Sequence, residues 1–111
     1  MEKFIVITTC SDDLDVIKKL ANILLEQKLV ASCHITSIDS SYWWNDAIAH
    51  NREYKLEVRT RENYFKKISD IIRKHHNYEV PEISSYLIHH IDNKFSNWLE
   101  GTTTSNTNDN S

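Results

Sequence analysis

Apolar positions along this chain change period several times, and each change marks the border of an element. Residues 4–9 (FIVITT) form a continuous apolar and β-branched run, the pattern of a strand covered on both faces. Ser11-Asp12-Asp13 then offers capping groups and negative charge to a helix N-terminus. Leu14, Ile17, Ala21, Leu24 and Leu25 recur at helical spacing, with Lys18, Lys19, Asn22 and Glu26 on the other side. They predict an amphipathic helix of about four turns that ends near Lys28. Leu29, Ala31, Cys33 and Ile35 alternate with Val30, Ser32, His34 and Thr36, which is strand periodicity. After Thr36 the apolar phase shifts to Ile38, predicting a bulge or bend in a long strand that continues through Trp44. Asn45-Asp46 reads as a turn, without the glycine that tight hairpins favour. In the returning strand Tyr54, Leu56 and Val58 make a dry face and Lys55, Glu57 and Arg59 a wet one.

Phe65, Ile68, Ile71, Ile72 and His75 mark the inner face of a second helix over residues 62–75, and residues 83–91 read as a fourth strand. Asp92 can cap a short C-terminal helix carrying Phe95, Trp98 and Leu99, closed by Gly101. The order β-α-β-β-α-β is that of an α+β ferredoxin-like sandwich, with a long hairpin between the second and third strands and both main helices on one sheet face. A length of 111 residues bounds the chain to one domain, expected over residues 1–100, followed by a disordered polar tail over residues 101–111.

The aromatic positions do not fit a lone subunit. Tyr42, Trp43 and Trp44 are consecutive in a strand, so alternation sends them to opposite faces and one core cannot hold all three. Each buried ring removes about 150–250 Å² from water. At roughly 25 cal/mol/Å², leaving two exposed forgoes several kcal/mol. A half-exposed hairpin tip is the plainer account; an obligate oligomer whose hairpin packs on other subunits accounts for all three rings.

Composition narrows the function classes. The chain is 40% hydrophobic and 26% charged with a net charge of −3, its cations interspersed with acids, so no basic stripe points to nucleic acid. No segment has membrane length and the N-terminal apolar run is too short for a signal peptide, so no membrane insertion and a cytoplasmic location are expected. The two cysteines then read as thiols. Glycine occurs once, so phosphate-cradling loops are absent and no organic cofactor is expected.

Chemistry concentrates in residues 75–83, HHNYEVPEI, where two imidazoles, a phenol and two carboxylates sit beside the only proline. Imidazole and carboxylate bind metals and move protons near neutral pH. With residues 25–33 (LEQKLVASC), the first-strand residues 5–10 (IVITTC), Ser40-x-Tyr42-x-Trp44, Glu53, Arg59-Thr60 and Trp98, this stretch resembles the CutA family of small divalent-cation tolerance proteins. The resemblance spans nearly the whole ordered chain. It implies a tight homotrimer, tolerance of divalent metals and copper in particular, and no established enzymatic reaction. Architecture is shared with the trimeric PII signalling proteins. Ile71 stands where some bacterial members carry a cysteine, one turn before His75.

By this resemblance Cys10 and His75, with Glu82 completing the sphere, are the candidate ligands for a weakly bound Cu or Zn ion. Cys10 also reads as a small buried hydrophobe at a strand end, and His75 as an imidazole at a helix C-terminus. Tyr42, Trp44, Glu53, Arg59, Tyr78 and Trp98 are expected at an intersubunit cleft or interface. There Glu53, Tyr78 and Glu82 either hydrogen-bond across subunits or, less simply, do acid–base work; Arg59 or Tyr54 are the donors expected for the carboxylates. His34, His50, His89 and His90 read as surface or interface residues, His89 and His90 facing opposite sides of a strand. The expected function is a non-enzymatic, trimeric copper-type metal-response protein, with a PII-like module binding a small molecule or partner protein in the cleft as the alternative.

Overall fold

The computed structural model describes residues 2–103. Within them the chain forms β1 (Phe4–Ser11), α1 (Leu14–Glu26), β2 (Ser32–Trp44), β3 (Ala47–Arg61), a single 3-10 turn (Glu62–Tyr64), α2 (Phe65–His75), β4 (Ser84–Leu87) and α3 (Asn93–Thr102). The strands make a four-stranded sheet in the order β2-β3-β1-β4, antiparallel at every pairing. The expected mixed fold, with its long hairpin and short last helix, is present.

Local chemistry explains the borders. The Asp13 carboxylate accepts from the amides of Asp15 and Val16, which caps α1. At its other end Lys28 takes a left-handed φ of 57°. Its amide donates to the Leu25 carbonyl and that of Leu29 to the Leu24 carbonyl, the pair of bonds of a Schellman cap. Leu29 therefore closes the helix and does not open the strand, as its alternation with Ala31 had predicted. It is fully buried there, and its carbonyl accepts from the buried Thr60 hydroxyl at 2.6 Å.

The β2–β3 register runs without interruption from Ser32 opposite Arg59 to Trp44 opposite Ala47, so of the bulge or bend expected after Thr36 the bulge is absent. The apolar phase changes because the hairpin changes what it packs against. Cys33 packs against the helical core, whereas Ser37, Asp39 and Ser41 on the same face are exposed and Ile38 points to the opposite face. At the tip Asn45 (φ 52°) and Asp46 (φ 61°) are both left-handed, as a two-residue hairpin turn requires. Their short polar side chains tolerate that conformation without glycine.

One face of β1 and β3 carries α1 and α2, and the core between them includes Ile7, Ile17, Leu20, Leu56, Ile68 and Ile72, each at most 1% exposed. On the opposite face Arg61, paired with Phe4, donates to the Glu100 carbonyl and the Thr103 hydroxyl, which fastens α3 over that end of the sheet with Leu99 buried. The last helix accordingly passes through Gly101 to Thr102, and Thr103 is buried and held by Arg61 and Tyr64. The polar tail expected from residue 101 does not begin there; the expectation for 104–111 lies outside the described residues. The fourth strand is also shorter than its pattern. Leu87 faces Ile5 and the Ile88 amide reaches Phe4, where β1 begins, so residues beyond have no partner strand. His89 and His90 consequently leave the sheet, and their rings meet edge to face at 4.4 Å instead of pointing apart.

Candidate functional site

Because directly paired residues share a face, Thr8, Cys10, Ile38, Glu53 and Lys55 lie together on the sheet face away from α1 and α2. The aromatic stretch of the hairpin walls this floor on one side and residues 77–82 on the other, enclosing an open cleft of about 760 Å³.

The second wall is pinned residue by residue to the end of β1. His76 Nε2–H donates to the Cys10 carbonyl at 2.9 Å while its Nδ1 accepts from the Tyr78 amide at 3.0 Å. Asn77 accepts from the Ser11 hydroxyl at 2.6 Å and donates to the Asp12 carboxylate at 3.0 Å. The Tyr78 hydroxyl accepts from the Asp12 amide at 2.9 Å and donates to Glu53 Oε2 at 2.5 Å. That last bond places a phenol against a carboxylate only 5% exposed. The donor to Glu53 is therefore Tyr78, not the Arg59 or Tyr54 anticipated from the sequence.

Electrostatics follow from burial. Burial, then the charges of Glu82 and Glu53, push the Cys10 thiol up to about 11, so it keeps its proton at neutral pH. Burial and the Glu53 carboxylate likewise raise the Tyr78 phenol above its ordinary range. The His76 imidazole is shifted down by burial, against the pull of its bond to the Cys10 carbonyl. Both of its nitrogens are engaged in a pattern that only the neutral ring can make. The unfolded chain takes up this proton as pH falls through about 6.5 whereas the native ring resists it. The contribution is thus full above the unfolded value and lost as pH drops toward the folded one. Urea denaturation is expected to show stability falling between about pH 7 and about pH 5, with a smaller fall in His76→Gln. An equal fall in both proteins would remove His76 as the cause.

Of the residues anticipated from the sequence, Cys10, Glu82, Tyr42, Trp44, Glu53 and Tyr78 all line the cleft. Glu82 accepts from the Ser84 hydroxyl at 2.8 Å. His75 ends α2 and is not among the lining residues; its neighbour His76 is the imidazole that reaches β1. Arg59 lines a separate, smaller hollow and donates to His34 Nδ1 at 2.8 Å. Trp98 is on α3, half exposed, its ring 5.5 Å from that of Phe95. Among the described residues no group of three His, Cys, Asp or Glu side chains is placed to hold a metal. Ser11, Asp12 and Asn77, which set the loop, carried no signal beyond capping or turn chemistry, since their partners are far away in sequence.

Residues 4–102 match the family model described as CutA1 divalent ion tolerance protein. The divalent-cation tolerance protein CutA of Archaeoglobus fulgidus is 33% identical over 102 residues, covering 92% of this chain and 98% of that protein. The crystal structure of divalent ion tolerance protein CutA1 from Ehrlichia chaffeensis superposes with a TM-score of 0.86 at 29% identity, covering 93% of this chain and 97% of that one. The structure of the Archaeoglobus protein, described as periplasmic, gives 0.84 at 32% identity, covering 93% and 99%.

Proposed function

The chain belongs to the CutA1 family of divalent ion tolerance proteins, and from that premise we propose that it is a non-enzymatic homotrimer that binds a copper-type divalent ion weakly. The observation that carries the metal reading is the placement of Cys10 and Glu82 on one cleft, close enough for the Glu82 charge to act on the thiol. Thiolate and carboxylate from one subunit are two donors, and a tight site needs about four. His75, Glu53 or a neighbouring subunit would supply the rest, which favours a weak, shared ion. A thiol that keeps its proton to about pH 11 is a poor nucleophile, so Cys10 is read as a ligand and not as a nucleophile. It must also give up that proton to a metal, so affinity should rise with pH.

Support for assembly comes from the hairpin. Trp43 and Trp44 are 72% and 49% exposed and Ile48 55%, apolar surface on both faces of the tip that a monomer leaves in water. Light scattering at micromolar protein is expected to give three times the mass of one chain; a monomer mass would overturn the assembly. Both cysteines are free thiols, which favours a reducing cytoplasm, and among the described residues no helix is long and apolar enough to cross a membrane.

Calorimetric titration of Cu(II) and Zn(II) into reduced protein, beside Cys10→Ala and His75→Ala, tests the metal. Saturable binding of about one ion per subunit that weakens roughly tenfold or more in each variant is expected. Binding unchanged in both variants would remove these ligands. A second reading is favoured by the cleft itself, whose volume of about 760 Å³ falls in the range of small-molecule sites. In that reading the trimer is a signalling or scaffold module of the PII kind, with a small molecule or partner in the cleft.

A further inference from the structure

Residues 77–82 wall the cleft without the backbone bonds that hold the neighbouring elements. The last helical bond of α2 runs from the His76 amide to the Ile72 carbonyl at 2.9 Å, and the ladder between β4 and β1 begins only at Ser84 opposite Thr8. Among the described residues no backbone–backbone hydrogen bond joins residues 77–82 to another part of the chain. Side chains therefore set where this segment lies.

His76 stands where those constraints meet. It leaves α2 with an extended backbone (φ −75°, ψ 149°), and its ring reaches the end of β1. Nε2 lies 2.9 Å from the Cys10 carbonyl, which can only accept, and Nδ1 lies 3.0 Å from the Tyr78 amide, which can only donate. The partners thus fix the tautomer: Nε2 carries the hydrogen and the Nδ1 lone pair takes the amide. Neither nitrogen is left for a metal. The ring also packs against that of Tyr78, their centroids 5.0 Å apart.

The consequence falls on two groups that line the cleft. Cys10 is the residue whose carbonyl His76 holds, and Glu82 lies at the far end of the segment that His76 begins. Moving the ring would shift one relative to the other.

We propose that His76 is a positioning residue for this cleft: its ring sets where the Glu82 segment sits relative to Cys10, and it is not itself a ligand. The inference rests on the metal reading of the cleft and deepens it.

Zn(II) calorimetry on the reduced full chain in its native assembly compares wild type with His76→Ala and His76→Gln. A glutamine amide offers one donor and one acceptor, so it can restore both bonds, but it is a poor zinc ligand. His76→Ala is expected to weaken Zn(II) about tenfold, the scale on which groups that orient metal ligands act, and His76→Gln to stay within about threefold of wild type. His76→Asn, whose amide is too short to reach the Cys10 carbonyl, should behave as the alanine variant does and takes its place if alanine does not fold. Ile68→Val trims a buried side chain of α2 away from the cleft and should leave the affinity unchanged.

Hydrogen exchange without metal reads the placement itself. The Asp12 amide is held by the Tyr78 hydroxyl and has no bond to residue 76, so it should lose protection in His76→Ala and keep it in His76→Gln. Three outcomes overturn the proposal: glutamine as weak as alanine, which would make His76 a ligand; alanine as tight as wild type; or Ile68→Val as weak as His76→Ala. If wild type binds no Zn(II), the metal reading falls and the Asp12 amide decides the positioning alone. Loss in alanine with retention in glutamine then upholds it, and equal protection in all three proteins overturns it.

Discussion

Replacing Tyr78 by phenylalanine is expected to cost about 2–3 kcal/mol of folding stability, a large loss for the removal of one oxygen. The hydroxyl does two things at once: it donates to Glu53 and accepts from the Asp12 amide. Phenylalanine keeps the ring but leaves a carboxylate 5% exposed without its one donor, and a backbone N–H without its acceptor. Stranding a buried charged acceptor costs more than the bond itself contributed, because the group was desolvated on the understanding of a partner. Urea denaturation at neutral pH measures the loss, and a value under about 0.5 kcal/mol would mean that water replaces the phenol without penalty. Pairing the change with Glu53→Gln in a double-mutant cycle should return a coupling of about 1–3 kcal/mol. Hydrogen exchange gives a local readout, since the Asp12 amide should lose protection in Tyr78→Phe while amides in the β2–β3 ladder keep theirs.

Leu20→Ala should be costlier still, about 3–4 kcal/mol. Leu20 is fully buried on α1 within the core shared with β1, β3 and α2. Truncation removes the transfer energy of the lost carbons and leaves a cavity that a rigid antiparallel sheet cannot close. Leu25→Ala on the same helix is the control. Leu25 is 41% exposed, so its truncation should cost less than about 1 kcal/mol with the same small gain in helix propensity. Similar losses for the two would show that α1 contributes through its helicity and not through its packed face. A domain of this size has about 5–15 kcal/mol in hand, so the Leu20 variant should fold with a visibly lowered denaturation midpoint.

Much of this protein was legible because its decisive signals are local. Ile17, Ala21 and Leu24 repeat at helical spacing and all three are buried on α1; Leu56 and Val58 alternate with Glu57 and Arg59 and do divide a dry face from a wetter one. The misread positions share a cause. Leu29 alternates with Ala31 as a strand residue would, but its amide is claimed by the helix cap. Residues 88–91 have strand character and no strand to pair with, because β1 begins only at Phe4. His89 and His90 were placed on opposite faces of a strand that stops before them. On the cleft, Cys10, Glu53, Tyr78 and Glu82 stood out in the family's motifs and do line it, yet that His76 and not His75 reaches β1 was not legible. Adjacent imidazoles look equivalent in sequence, and the end of α2 decides which one swings toward β1.

By itself, then, the sequence determined the kinds of element, their order, the hairpin turn and the family, since periodicity, capping and turn chemistry act over a few residues. Only the tertiary structure decided where strands stop, which donor satisfies Glu53, and that residues 77–82 and the aromatic hairpin face each other across one cleft. Those outcomes depend on partners 25 to 66 residues apart, as with Tyr78 and Glu53 or His76 and Cys10. Such partners meet only once the antiparallel sheet has fixed its register, and no local pattern encodes that meeting.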